Sequence, residues 1–260
     1  MPKQQIEIIF ENNGLLVVNK PTGVSVTADR SGAPQLTDIL PGQIGQNAVD
    51  QLRLIHRLDK QTSGVMILAK TLEAQTEFST LFEKRLVKKT YLAIVTGAVM
   101  APAGIINAPL GQHPKDPQLI RVDRRKGKES ITEWTLLANF GTLSLLAVKP
   151  LTGRTHQIRV HLPSVSMPLA IDPLYGSLRP ILLSEFKTDY MLGKGHEEKP
   201  LIDRLTLHAY QIEFENHAPD TPQYFVAGLD KKFQATLKML AKYTAAGPMH
   251  LWTQLFSQKF

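Results

Sequence analysis

The order of apolar and polar residues predicts a chain that begins with β-strands. Short apolar runs at 6–10 and 15–18 flank the turn Asn12-Asn13-Gly14, a pattern typical of a β-hairpin. A further apolar run at 65–69 and an alternating run at 90–95 predict two more strands. The first third of the chain is therefore expected to contribute at least four strands to a sheet.

The second half of the chain continues the same pattern. Four more strands are predicted there, at 131–138, 142–149, 205–215 and 222–227. The first two flank Asn139-Phe140-Gly141 and form a second hairpin. Residues 101–130 are rich in proline, glycine and charged residues and show no sustained period, so they are expected to form an exposed excursion, and residues 177–200 are expected to form another polar excursion.

Helices are predicted where apolar residues recur every three or four positions. Thr71 is the expected N-cap of a helix with apolar residues on one face, namely Leu72, Phe78, Leu81 and Phe82. Asp230 is the expected N-cap of a tail helix at 230–243, whose inner face carries Phe233, Leu237, Leu240 and Ala241. A short helix is predicted at 36–40, and another at 155–162, capped by Thr155 and stopped by Pro163.

Strands outnumber helices and do not alternate regularly with them. This order predicts an α+β fold with a largely antiparallel mixed sheet flanked by helices and loops. With 260 residues, no internal repeat and no clear linker, the chain is expected to form a single domain over 1–260. The core of that domain is placed at about residues 6–230, followed by the tail helix at 230–243.

Composition excludes several classes of protein. The chain has no cysteine, which rules out disulfides, thiol nucleophiles and thiolate metal sites. The N-terminus lacks the apolar core of a signal peptide, and no apolar run approaches the ~20 residues that span a bilayer. The expectation is a cytoplasmic protein that does not enter a membrane.

Positive charge is concentrated in two places. The net charge is +7, and two clusters carry much of the excess: Lys84, Arg85, Lys88 and Lys89, and then Arg121, Arg124, Arg125, Lys126 and Lys128. Such clusters are either solvated faces or contacts for a polyanion such as nucleic acid. The composition leaves both interpretations open.

One carboxylate, Asp59, lies among His56, Arg57 and Lys60, just before the small polar turn Thr62-Ser63-Gly64. The simpler interpretation is a charged surface loop that leads into a buried strand. The alternative is a functional carboxylate, since neighbouring cations favour the ionised form and an ionised aspartate can act as a nucleophile or base.

Two other polar stretches are candidate sites. Tyr91 follows Lys88 and Lys89, so it is either an ordinary half-buried strand residue or an aromatic face on which a base can stack. The stretch 152–161 contains His156 and Arg159, which would share one face of a helix. Its histidines at 156 and 161 are five residues apart, which does not match an i,i+4 metal pair, and neither a metal site nor a cofactor is predicted.

These stretches together resemble a known family. Residues 56–64, His-Arg-Leu-Asp-Lys-Gln-Thr-Ser-Gly, resemble the HRLDxxTSG signature of the RluA family of pseudouridine synthases. The resemblance extends to three further motifs and to the last strand, at 17–23, 89–95, 152–161 and 207–209. It covers about residues 6–230, and no RNA-binding S4-like module precedes residue 6, so a bare catalytic domain is expected.

The resemblance implies a role for each motif. Asp59 would be the catalytic aspartate, Tyr91 would pack against the target uracil and help to remove its C5 proton, and Arg159 would pair with Asp59. Arg57 would fill the gap left when the uridine leaves its stack. The other residues expected to contact RNA are His56, Thr62, Arg154, His156, Lys88, Lys89, Arg124 and Arg125.

The implied reaction is the isomerisation of uridine to pseudouridine in ribosomal RNA, transfer RNA or both. It would need neither a metal nor a cofactor, and the protein is expected to work on RNA as a monomer. Two alternatives stay open at this stage: a catalytically silent RNA-binding protein with the same fold, and a carboxylate-dependent glycoside hydrolase. The second is weaker, because such enzymes usually need two carboxylates and only one lies in a motif.

Overall fold

A computed structural model describes residues 5–27, 32–44, 52–192, 195–214 and 223–244. The chain forms two compact units, and each takes an earlier and a later part of the sequence. The first unit contains Met1–Tyr91 and His208–Gly228, and the second contains Leu92–Leu207 and Leu229–Phe260. The expectation of a single domain over 1–260 stays a prediction.

The regular elements of the described residues follow in chain order. The strands are β1 Glu7–Glu11, β2 Leu15–Lys20, β3 Arg53–Leu54, β4 Ser63–Ala69, β5 Val87–Thr96, β6 Ala103–Asn107, β7 Leu110–Gln112, β8 Ile120–Val122, β9 Ile131–Asn139, β10 Leu143–Pro150, β11 Leu207–Phe214 and β12 Tyr224–Val226. The helices are α1 Leu36–Ile39, α2 Pro41–Ile44, α3 Leu72–Glu83, α4 Gln157–Ser164 and α5 Lys231–Tyr243.

The first unit is built on the strand order β1-β2-β4-β11, with β3 paired to β4 and β12 paired to β11. Strand β4 runs parallel to β11, whereas its pairing with β2 is antiparallel. Every residue of β4 is buried, as expected for a continuous apolar strand covered on both faces. Helix α3 covers this core, and Phe78 meets Phe214 edge to face with ring centroids 5.3 Å apart.

The second unit contains the antiparallel order β10-β9-β6 and a separate hairpin of β7 and β8. Helices α4 and α5 belong to this unit. The parallel pair of β4 and β11 lies beside antiparallel pairs such as β1 with β2 and β9 with β10, so the sheet is mixed and mostly antiparallel and the predicted α+β fold class is confirmed.

Most of the predicted elements are present. Thr71 caps α3, since its hydroxyl accepts the backbone N–H of Ala74 at 3.1 Å. Asp230 caps α5 by accepting the N–H groups of Lys232 and Phe233. Both predicted hairpins form, β1 with β2 and β9 with β10. The strands predicted at 205–215 and 222–227 are found as β11 and β12, while residues 215 and 222 lie outside the described residues.

The expected excursion at 101–130 is wrong in part, because β6, β7 and β8 lie within it. These strands are short, and in β6 only Ile106 is buried while Ile105 is 67% exposed. Backbone hydrogen bonds to β9 hold β6, so no clear apolar alternation is needed to form it. At 177–200 the described residues contain only a 3₁₀ turn, Leu183–Glu185.

The predicted ends of α4 are also wrong. The N-cap is His156, one residue later than the expected cap Thr155; His156 has a left-handed backbone (φ +54°) and provides no side-chain cap. Pro163 lies inside the last turn and does not stop the helix before it. A proline is tolerated there because only one helical residue, Ser164, follows it, and the contacts of the helix with its surroundings outweigh the lost hydrogen bond.

Within the described residues, none of the helices has the length and apolar character needed to cross a bilayer.

Candidate active site

Asp59 lies half-buried in the loop between β3 and β4, in the first unit. This loop, residues 56–64, is called the aspartate loop below. The N–H of Thr62 donates to the carbonyl oxygen of Asp59 at 3.0 Å and closes a tight turn. Leu58 and Thr62 are buried on either side of the carboxylate, while Arg57 is exposed. The buried side chains of Leu58 and Thr62 therefore anchor the turn that carries Asp59.

The loop after β2 binds the backbone of the aspartate loop. Lys20 is completely buried, and its ammonium donates to the carbonyl of Lys60 at 3.1 Å and to those of Pro21 and Val24. Burying a charge is costly unless hydrogen bonds replace its hydration, and these carbonyls do so. Lys20 thus joins its own loop to the residue next to Asp59.

Two further hydrogen bonds reinforce this connection. The N–H of Gly23 donates to the carbonyl of Lys60 at 2.8 Å, and the Thr22 hydroxyl donates to the carbonyl of Gln61 at 2.7 Å. From the sequence, these positions are predicted only to form a loop of fixed shape. The structure shows that this shape serves to hold the two residues after Asp59.

The Ser63-Gly64 pair begins β4 where it meets β11. Ser63 Oγ donates to His208 Nδ1 at 2.9 Å, since His208 Nε2 donates to the carbonyl of Ala227 at 3.1 Å. Gly64 has φ +118°, and a Cβ there would lie 2.1 Å from the carbonyl oxygen of Ala209. Only glycine fits this close approach, which explains the end of the motif.

His56 is held inside the first unit. Its Nε2 accepts the N–H of Ile67 at 3.0 Å, and its ring stacks on Phe82 with centroids 4.6 Å apart. Burial, with a smaller contribution from the positive charge of Lys89, lowers the pKa of His56 to about 3. The ring is therefore neutral at physiological pH, and its expected contact with RNA stays a prediction.

Tyr91 lies half-buried on β5, at the end of the first of the two chain segments that form the first unit. Burial and then the negative charge of Asp59 raise the pKa of its hydroxyl above the ordinary tyrosine value. Tyr91 therefore stays protonated, which suits a packing or hydrogen-bonding role better than that of a base. Of the two lysines before it, Lys88 is exposed and lies 3.8 Å from Glu213, whereas burial lowers the pKa of Lys89.

The stretch 152–161, called the arginine motif below, belongs to the second unit and contains a buried polar network. Gln157 accepts the Thr152 hydroxyl at 2.8 Å and the N–H of Arg154 at 3.0 Å. Its amide nitrogen donates to the carbonyl of Ile131 and to Thr132 Oγ1, both at 2.9 Å. Much of the polarity of this motif therefore serves to fix α4 against β9.

His161 is part of the same network. Its Nε2 donates to the carbonyl of Ala108 at 2.8 Å, so its Nδ1 accepts the Thr132 hydroxyl at 2.8 Å. Burial lowers the pKa of His161, partly offset by the bond to Ala108. No group of residues suited to hold a metal ion is found in the described parts of the chain.

Arg159 is buried on α4 and forms a bidentate ion pair with Asp172. Its Nε and Nη2 donate to Asp172 Oδ2 and Oδ1 at 2.9 and 2.7 Å. The Tyr175 ring lies 5.3 Å from the Arg159 guanidinium carbon, and the Tyr175 hydroxyl lies 2.7 Å from His156 Nδ1. Sequence reasoning missed Asp172 and Tyr175. The available signal was the turn sequence Asp-Pro-Leu-Tyr-Gly directly after an apolar run.

The basic cluster at 121–128 lies on β8 and the turn that follows it. Arg124 and Arg125 are exposed. Asp123 Oδ1 accepts the N–H groups of Arg125 and Lys126 at 3.0 and 3.1 Å, and these bonds hold the pKa of Asp123 below its usual value. The turn thus presents its cations on a defined backbone.

The candidate residues divide between the two units. The first unit contains Asp59, Tyr91, His56, Arg57, Thr62, Lys88 and Lys89, and the second contains Arg159, Arg154, His156, Arg124 and Arg125. The ion pair expected between Asp59 and Arg159 stays a prediction, and the partner of Arg159 described above is Asp172.

Comparison with known proteins agrees with the motifs. The family model for RNA pseudouridylate synthase matches residues 14–164. The chain is 33% identical to the ribosomal large subunit pseudouridine synthase D of Xanthomonas campestris, over 92% of this chain and 71% of that protein. It is also 33% identical to synthase C of Vibrio parahaemolyticus, over 90% and 69% of the two chains.

Solved structures show the same fold. Human RNA pseudouridylate synthase domain containing 1 superposes with a TM-score of 0.70 at 23% identity, covering 100% of this chain and 97% of that one. Human RNA pseudouridylate synthase domain containing 4 gives 0.68 at 27% identity, covering 90% and 93%. The described fold is thus that of a pseudouridine synthase. The chain belongs to the RluA-type RNA pseudouridylate synthase family and is an RNA pseudouridine synthase, an isomerase.

Proposed function

We propose that this enzyme modifies uridine in the RNA of the large ribosomal subunit and that Asp59 is its catalytic residue. The target is supported by relatives named as large-subunit synthases, which match about nine-tenths of this chain. The observation that carries the catalytic assignment is the support of the aspartate loop. Lys20, Thr22 and Gly23 bind the carbonyls of the two residues after Asp59, which fixes the backbone next to this carboxylate.

The reaction rearranges bonds without gain or loss of atoms. The N1–C1′ glycosidic bond breaks, the uracil turns, and C5 bonds to C1′. C5 releases its proton and N1 takes one up, so tritium placed at C5 appears in water. Asp59 would either attack C1′ or remove a ribose proton, and both routes need its ionised form.

The remaining residues have supporting roles in this proposal. Tyr91 packs against the uracil as a neutral phenol, in keeping with its raised pKa. Arg159 stabilises the carboxylate of Asp59. Arg124 and Arg125 contact phosphates, which favours binding without reading sequence. Arg57, exposed beside Asp59, fills the space left by the extruded uridine, whose extrusion costs a few kcal/mol.

The test measures tritium release from large-subunit RNA labelled at C5 of uridine. Asp59→Asn keeps the size of the side chain and removes its charge, so release should fall more than about 10⁴-fold. Binding of the same RNA in a gel-shift assay should change little, because a carboxylate does not attract phosphate. Asp203→Asn is the matched control, since Asp203 is exposed and pairs with Lys232 at 2.7 Å; it should release tritium at the wild-type rate.

Each part of the proposal can fail separately. Full activity of Asp59→Asn would remove Asp59 from the chemistry. Wild-type protein that converts transfer RNA but not large-subunit RNA would refute the target. Wild-type protein that binds large-subunit RNA tightly but converts no uridine in any stable RNA would favour a silent RNA-binding protein instead.

A further inference from the structure

Arg159 is held from one side by a short segment outside the motifs named above, residues 172–176. The side chains of Arg159 and Asp172 are 5% and 2% exposed, so their ion pair is shielded from water. The pair engages both Nε and Nη2 of Arg159. Two parallel bonds fix the plane of a guanidinium as well as its position, which a single bond does not.

The Asp172 carboxylate is itself held by the backbone. Its Oδ1 also accepts the N–H groups of Leu174 and Tyr175 at 2.8 and 3.1 Å. The turn is closed by the N–H of Gly176, which donates to the Asp172 carbonyl at 3.0 Å. The carboxylate therefore cannot follow Arg159 if that side chain changes rotamer, and it selects one orientation of the guanidinium.

Tyr175 constrains the same guanidinium from its face. The ring lies 5.3 Å from Arg159 Cζ, a cation–π distance. The ring is fixed in turn by its hydroxyl, which accepts the N–H of Ile120 on β8 at 2.8 Å. With that lone pair used, the hydroxyl hydrogen is available to His156 Nδ1, 2.7 Å away, at the start of α4.

We propose that Asp172 and Tyr175 are positioning residues that hold Arg159 in the orientation needed for uridine isomerisation. This inference rests on the function proposed above, in which Arg159 acts on the catalytic carboxylate. An arginine side chain has four rotatable bonds, and an ion pair in a reaction site loses its effect when it moves by about 1 Å. The Asp172 carboxylate fixes the direction in which Nε and Nη2 of Arg159 point, and the Tyr175 ring packs against the face of the guanidinium.

The second unit also contains an arginine–aspartate pair that can serve as a control for Arg159 and Asp172. Arg204 bonds to Asp230, and its guanidinium carbon lies 5.7 Å from the Phe233 ring. Asp230, like Asp172, accepts two backbone N–H groups, those of Lys232 and Phe233. This cluster lies at the cap of α5 and outside the motifs named above, so it should serve stability alone.

The experiment compares Asp172→Asn with Asp230→Asn in single-turnover tritium release, with enzyme in excess over labelled RNA. Rates are expressed per folded molecule, with the folded fraction taken from near-ultraviolet circular dichroism. Asp172→Asn should lower the maximal rate about 100-fold while the half-saturating enzyme concentration changes less than about threefold. Asp230→Asn should keep the maximal rate within about twofold of wild type. Asp172→Glu, which keeps the charge, should recover part of the lost rate.

A purely structural role predicts a different result. If Asp172→Asn lowers the folded fraction or the melting temperature but leaves the rate per folded molecule unchanged, the positioning proposal is refuted. If wild-type enzyme releases no tritium, the proposed function has failed and not the positioning argument.

A second pair of variants covers the case in which Asp172→Asn does not fold. Tyr175→Phe keeps the ring over Arg159, whereas Tyr175→Leu removes it. Tyr175→Leu should be slower than Tyr175→Phe by about tenfold, the effect of losing one desolvated cation–π contact. Equal maximal rates for these two variants would overturn the role of the ring.

Discussion

The aspartate loop and the arginine motif are equally dense in polar residues, but the protein fixes them by different means. In the aspartate loop the contacts are made mainly to the backbone, since Lys20, Thr22 and Gly23 bind the carbonyls of Lys60 and Gln61. In the arginine motif the side chains bind one another and β9, with Gln157 at the centre.

This difference shows that polar density has two causes. Around Asp59 the backbone must follow one path, because the shortest bonds from the neighbouring loop go to the carbonyls of Lys60 and Gln61. Around Gln157 each buried polar side chain is the partner of another, and removing one leaves its partners without a hydrogen bond. Such losses cost about 1–3 kcal/mol each. The two regions should therefore respond to different kinds of substitution.

The largest loss of stability is expected where the backbone of β4 approaches that of β11. Gly64→Ala places a Cβ about where the Ala209 backbone lies, 2.1 Å from its carbonyl oxygen. The free energy of unfolding should fall by more than about 4 kcal/mol, as for severe overpacking. Urea unfolding followed by fluorescence measures it.

Gly141→Ala separates this clash from backbone strain. Gly141 also has positive φ, +83°, but a Cβ there meets nothing within 4 Å. Gly141→Ala should lower the free energy of unfolding by only about 1–2 kcal/mol, the strain of a left-handed residue. If both variants lose the same stability, the close approach of β4 to β11 is not what requires glycine at 64.

A smaller loss is expected in the side-chain network. Gln157→Leu is similar in size but leaves the Thr152 hydroxyl hydrogen and the N–H of Arg154 without their acceptor. The free energy of unfolding should fall by about 3 kcal/mol. Gln118→Leu, at an exposed position, should change it by less than about 0.5 kcal/mol. Comparable small losses for both would show that Gln157 is not central.

The smallest effect is a pH dependence that His56 of the aspartate loop contributes to stability. The folded pKa of His56, about 3, lies below the usual value of 6.5, so the folded state binds fewer protons. Its contribution is fully present above pH 6.5 and is lost as the pH falls towards 3. Stability should drop by about 1 kcal/mol between pH 6.5 and 5.5, since each pKa unit is worth about 1.4 kcal/mol.

His56→Gln should remove this part of the pH dependence, measured by urea unfolding at each pH. His161, whose pKa is also lowered by burial, contributes a loss of the same sign and remains in that variant. A slope that does not change in His56→Gln would contradict the neutral, stacked state of His56.

Much of the fold could be predicted from local pattern. The two hairpins, α3 with its Thr71 cap and α5 with its Asp230 cap follow from turn residues, periodicity and capping chemistry, which are local properties. Strand β6 could not be found in this way, because hydrogen bonds to β9, about 30 residues later, hold it and not its own apolar pattern. The start of α4 was missed because His156 adopts a left-handed backbone that tertiary contacts, such as that with Tyr175, support.

The candidate site was predicted in outline but not in its supports. The motif around Asp59 identifies the loop, yet nothing local shows that Lys20, some forty residues earlier, is buried against it. Likewise Arg159 stood out as a charged residue in a polar motif, while Asp172 gave no signal beyond a turn. Ion pairs between distant segments depend on the three-dimensional path of the chain, and local patterns in a single sequence do not predict that path.

The complete burial of Lys20 has a consequence for covalent labelling. The uncharged, accessible amine of a lysine attacks amine-acylating reagents, and Lys20 is 0% exposed with its ammonium bound to carbonyls. Exposed lysines such as Lys126 and Lys231 react in the native protein, whereas Lys20 reacts only when the loop after β2 has separated from the aspartate loop. The acylation rate of this one residue, read by mass spectrometry, therefore reports how often the support of Asp59 opens.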